Sequence, residues 1–200
     1  MYLVEKYKNN NRISIISGNN FQEIQPMKIE NDYYFSIFPS TWGWATWKRV
    51  WENYDISIKE WESINKSTFL SFLFKEKKYR KFWEKTFNQF AISNYCDTWD
   101  FQFYFHCMKR RQLAVIPKAN LVSNIGHGTL ATHTTCKNGY LDNMPRYELS
   151  FPIKHPLAIE RNYEADFFVQ KVLFGEIEMI SLWKKIKRWI KKNIITIKKC

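Results

Sequence analysis

Two aspartates three positions apart, Asp97 and Asp100, bracket Thr98-Trp99 at the head of a stretch with helical periodicity. A carboxylate there can cap the helix, because the first backbone N–H groups and the helix dipole favour negative charge. It can also accept a proton from a group held within hydrogen-bond reach. Asp97 is the better cap, which makes Asp100 the first candidate for chemistry and Asp97 the second. Trp42-Gly43-Trp44 is the second cluster of interest. Glycine lets backbone approach a ligand closely, and tryptophan offers a flat stacking face. Trp44, Trp47 and Trp51 recur at i, i+3 and i+7, so Trp44 and Trp47 fit a buried helical face equally well, and Trp42 is the better ligand contact. The polar turn Ser17-Gly18-Asn19-Asn20-Phe21 ends a β-rich run, and its Asn19 and Asn20 can either meet a ligand or simply join two elements.

Those residues need elements to position them. Met1–Lys8 reads as helix, Arg12–Ser17 and Tyr33–Phe38 as strands, Trp44–Asn53 as helix and 66–93 as a long helix without Gly or Pro. Thr98–Arg110 reads as a buried helix opened by Asp97, with Trp99, Phe103 and Cys107 on one face. Leu113–Ile116 and Leu121–Val122 read as short strands around Pro117. A loop with Gly126, His127 and Gly128 follows, with His127 able to face a ligand, and then a turn-rich stretch over 138–157. His106 and His155 read as structural. Short strands with intervening helices indicate an α/β fold. A main unit over 1–156 and an extension over 157–200 are expected.

The net charge of +12 is concentrated at one end: eight Lys/Arg and no acid lie in 181–200, leaving +4 for the rest. Without a nucleic-acid-binding motif or a basic stripe in the body, a nucleic-acid partner is not expected. Residues 181–199 read instead as a basic amphipathic helix, suited to an anionic membrane surface or to docking on the body of the protein or a partner chain. Aromatic residues make up 18% of the chain, nine of them Trp. Such rings build cores, and they also line sugar sites, where a ring face matches the C–H face of a pyranose. Four cysteines without CxxC spacing fit free thiols. With no long apolar run and no leader pattern, a cytoplasmic location, peripheral at the inner membrane face, is expected.

Three stretches taken in order carry a resemblance: Ser17-Gly18-Asn19-Asn20-Phe21; Tyr34-Phe35-Ser36 leading into Trp42-Gly43-Trp44-Ala45-Thr46-Trp47; and Asp97-Thr98-Trp99-Asp100 leading into Asn120-Leu121-Val122-Ser123-Asn124-Ile125-Gly126 and Ala131-Thr132-His133-Thr134. Together they resemble a bacterial family of glycosyltransferase-like proteins, family 2-like, with the nucleotide-diphospho-sugar transferase (GT-A) fold. The resemblance covers about residues 1–135 and rests on order and spacing more than on any one motif. It implies the acceptor-side half of a GT-A domain, with a small mixed sheet and several helices. In that family the helix matching Leu3–Lys8 follows a Glu-Asp-Asp metal and diphosphate segment, which this sequence does not contain. The nucleotide-binding half is therefore expected upstream of Met1, and Glu30-Asn31-Asp32 reads as a solvated turn.

The resemblance further implies transfer of a sugar from a nucleotide-sugar donor to a hydroxyl of a saccharide or glycolipid in cell-surface polysaccharide synthesis. Asp100 or Asp97 then matches the position of the base, and Trp42, Gly43 and Trp44 match the acceptor-site segment. His133 resembles a late metal-ligating histidine, with a loop histidine bonded to backbone as its alternative. Mn²⁺ or Mg²⁺ is expected for an intact family enzyme, and none held tightly by this chain alone. The alternative reading is an inactive truncated relative that binds carbohydrate or membrane.

Overall fold

The computed structural model describes residues 2–22, 29–92, 98–126 and 141–174. Helix α1 (Tyr2–Tyr7) leads into β1 (Ile13–Ile16), whose β-branched residues are buried at Ile13 and Ile15. The aromatic run becomes β2 (Tyr33–Ser36), buried along its whole length. Then come β3 (Ala45–Thr46), α2 (Lys48–Trp51), a 3₁₀ turn at Lys59–Trp61, α3 (Lys66–Leu73), α4 (Lys77–Ile92), α5 (Asp100–Lys109), β4 (Leu113–Pro117) and α6 (Tyr163–Val169), which runs on as a π-helical turn over Gln170–Phe174. The strands form one mixed sheet in the order β2-β4-β1-β3, with β1 and β4 parallel and the other two pairings antiparallel. The chain is thus mixed α/β. No helix among the described residues is long and apolar enough to cross a membrane.

Helix α4 packs through Tyr79, Trp83 and Phe87, spaced i, i+4 and i+8 on one face. Trp83 is wholly buried, stacks on Phe74 at 5.8 Å and 7°, and meets Phe174 at 4.9 Å. Helix α5 sends Phe103 and Cys107 into a second cluster with Ile15, Tyr34, Ala114 and Ile116. Burial pushes the Cys107 thiol up to about 12, so it remains a neutral, inert core group.

Several expectations need correction. Trp44–Asn53 is not one helix: Ala45 and Thr46 pair with Ile16 and Ile15 before α2 begins at Lys48. The open edge of β1 supplies backbone partners that a local helical pattern cannot register. The stretch 66–93 holds two helices, because Phe74 turns extended at the end of α3, which buries consecutive Leu73 and Phe74 together. Leu121–Val122 is loop rather than strand. Residues as far as Phe174 pack in the same core as the strands, with Val169 and Phe174 in one cluster with Tyr33 and Phe35. Asn162 N–H donates to Phe35 O at 2.8 Å, and Ala165, Val169 and Phe174 are buried. Asp166, 1% exposed, accepts from Ser36 Oγ at 2.5 Å, Ile37 N at 3.3 Å and Arg161 Nε at 2.6 Å. Burial raises the Asp166 pKa, while Arg161 and the other donors pull it down. The basic amphipathic segment 181–199 lies outside the described residues.

Candidate functional site at the ends of the parallel strands

Parallel β1 and β4 release their loops at one edge of the sheet, the edge where open α/β sheets form crevices for ligands. Three loops are bonded together there. Ser17 N–H donates to Val115 O at 2.9 Å, Gly18 N–H to Trp42 O at 3.2 Å and Leu121 N–H to Gly18 O at 2.9 Å. Gly43 has φ of +58°, and a Cβ on it would lie 2.5 Å from Val122 Cγ1. A Cβ on Gly18 would lie 2.6 Å from Gly43 O. The loops approach so closely only because both positions lack a side chain.

Gly43→Ala is accordingly expected to cost about 2–4 kcal/mol, from the left-handed backbone together with overpacking against Val122. Urea denaturation checks this. The double variant Gly43→Ala/Val122→Ala should regain the steric share and keep the backbone share.

Asn19 and Asn20 sit beneath this surface rather than on it, at 0% and 5% exposure. Asn19 Oδ1 accepts from Ser17 Oγ at 2.9 Å and Ser40 Oγ at 2.6 Å. Asn20 Nδ2 donates to Pro117 O and Lys118 O, and its N–H donates to Asn120 Oδ1 at 3.1 Å. Their hydrogen bonds tie the first loop to the strand ends, so they shape the surface from below. Asn120 is the hub missed in the sequence: 2% exposed, it also donates through Nδ2 to Val122 O and Pro145 O.

Trp42 is half-buried and meets Phe21 edge-on at 5.3 Å. Trp44 reaches the other way, into a cluster with Trp51 at 6.0 Å, Phe103 at 6.2 Å and Trp99 at 5.5 Å. Trp47 is structural: its Nε1 donates to Val4 O, and the Arg49 guanidinium covers its ring at 4.5 Å. The Trp44–Trp99 contact brings the Trp-Gly loop to the start of α5. Topology requires the same, because α5 leads into the start of β4 and so begins near the end where β4 finishes.

The helix opens at Asp100, with Trp99 as its N-cap residue rather than Asp97. Asp100 Oδ1 accepts from Phe101 N at 2.9 Å and from the Thr98 hydroxyl. One carboxylate oxygen is thus committed to the helix start, and Oδ2 has no partner among the described residues. One turn along, burial raises the Tyr104 pKa, with the Asp100 charge adding to it. His106 is buried under Tyr54 and Phe103, and burial lowers its pKa, which fits the structural role expected of it. Asp97, His127 and His133 lie outside the described residues, and no group of three His, Cys, Asp or Glu among the described residues could hold a metal ion.

Comparison with protein-family models, curated proteins and solved structures finds no match to this chain.

Proposed function

We propose that this chain supplies the acceptor-binding surface and the catalytic base of a GT-A-type glycosyltransferase acting on a hydroxyl of a saccharide or glycolipid. The observation that supports it is the meeting of Trp42-Gly43-Trp44 with the N-terminus of α5 at the edge where β1 and β4 end. On this reading Trp42 stacks against a pyranose face while Gly43 allows the sugar close to backbone. The Asp100 carboxylate takes the proton of the acceptor hydroxyl. The hydroxyl oxygen forms the new bond to the donor's anomeric carbon, and the bond to the nucleoside diphosphate breaks, its electron pair leaving with the diphosphate. On the same reading the basic segment 181–199 keeps the protein at the inner face of the membrane.

A panel of cell-surface oligosaccharides titrated into the chain tests the acceptor reading. Binding should weaken at least tenfold in Trp42→Ala with the thermal midpoint preserved, consistent with losing one ring contact to sugar. Oligosaccharide binding indifferent to Trp42, or a complete absence of such binding, would count against it.

A further inference from the structure

A cavity of about 300 Å³ lies between the α3–α4 junction and α6, lined in part by Phe38, Phe74, Tyr79, Tyr163, Phe167 and Gln170. It sits toward the end of β2 that pairs with the start of β4, Ser36 opposite Ala114, and so at the other end of the sheet from Trp42 and Asp100. Two of its polar groups are buried without partners among the described residues. Tyr79, 4% exposed, has no hydrogen-bond partner for its hydroxyl among the described residues. Gln170, 2% exposed, accepts from Trp83 Nε1 through Oε1 at 2.7 Å. An indole N–H only donates, so that contact fixes the amide orientation and leaves Nε2 as the unpaired donor. Leaving such groups unmet forfeits hydrogen bonds they would make in water, and native proteins leave few. Gln170 also opens the π-helical turn, a widening of the helix often found where ligands bind.

The chemistry of the lining narrows the ligand. Arg161 and Asp166 neutralise one another across 2.6 Å. Lys75 is then outnumbered by Glu76 and Glu164, which disfavours an anion. The unmet donor on Gln170, the two-way hydroxyl of Tyr79 and the two carboxylates call for a ligand whose groups both accept and donate, as alcohols do. The aromatic walls suit a ring with a C–H face. The volume lies at the small end of ligand pockets. We propose that this cavity binds one uncharged pyranose unit. The assignment stands on the cavity alone and does not rest on the reading of Trp42 and Asp100.

Saturation-transfer NMR and calorimetry on the full chain, with glucose, galactose, mannose, N-acetylglucosamine, glucuronate and adenosine as probes, test it. At least one neutral sugar should saturate the protein in the millimolar range, ahead of glucuronate and adenosine. Tyr79→Phe should weaken that sugar about tenfold, the effect of one lost hydrogen bond to a ligand hydroxyl. Its thermal midpoint should hold or rise, since the hydroxyl removed has no partner in the free protein. Gln170→Glu, which keeps an acceptor for Trp83 and removes the free donor, should weaken binding as well. Three results would overturn the proposal: no neutral sugar binds, as for a cavity holding only water; glucuronate or adenosine binds best; or both cavity variants bind like the parent.

Discussion

Asp100→Asn is expected to lower glycosyl transfer by roughly 10²–10⁴-fold, the range associated with losing a positioned general base, while the fold stays intact. Asparagine keeps an oxygen for Phe101 N–H and the Thr98 hydroxyl, the contacts that hold Asp100 Oδ1 at the start of α5. What it loses is the ability to take a proton. The assay measures transfer to an oligosaccharide from a nucleotide sugar. The signature is a fall in kcat with little change in acceptor KM, because the base acts in the transition state and not in ground-state binding. Asp97→Asn is the comparison, and a larger fall there would transfer the role of base to Asp97. Turnover that survives both substitutions would remove the base from this helix altogether.

The second large effect concerns stability. Asp166→Ala should cost about 3–5 kcal/mol, the usual result of leaving one partner of a buried ion pair uncompensated. Three groups lose their acceptor at once: Ser36 Oγ, Ile37 N–H and Arg161 Nε. The Arg161 side chain is only 14% exposed, so water replaces the carboxylate poorly. Because whole domains are stable by about 5–15 kcal/mol, the variant should show a sharply lower urea midpoint or fail to fold. Arg161→Met in the same chain should recover part of the loss, since it removes the stranded charge. A loss below about 1 kcal/mol for the single variant would mean that this contact does not hold 157–174 onto the sheet.

These two residues also show what was legible in the sequence. The runs Ile13–Ile16, Tyr33–Ser36 and Leu113–Pro117 announced their strands through β-branched and aromatic residues. Phe103 and Cys107 announced the buried face of α5 through their spacing. Trp44 misled because its true neighbours are set by pairing of Ala45 with Ile16, a contact between distant positions that mimics a helical repeat. Phe74 gave no warning of the helix break, since no Gly or Pro marks it. The turn-rich stretch over 138–157 gave no sign that the chain beyond it returns to the sheet, as Asn162 does through Phe35. Nothing in the spacing around Asp166 signalled that it anchors this segment to β2.

At the candidate site, the order of motifs pointed to Trp42, Gly43 and Asp100, and the contact seen between these segments is that of Trp44 with Trp99 at 5.5 Å. The roles of Asn19 and Asn20 were not legible. A polar turn looks the same whether it faces ligand or, as here, bonds to residues a hundred positions away such as Pro117 and Asn120.

Chemical-shift mapping of the isotope-labelled chain during titration with an acceptor oligosaccharide tests the central claim most directly. The Trp42 indole N–H and the backbone amides of Gly43 and Asp100 should move together along one binding curve, as expected of groups around a single sugar. If those signals stay still while the protein binds saccharide elsewhere, the Trp-Gly loop and the head of α5 do not form an acceptor site.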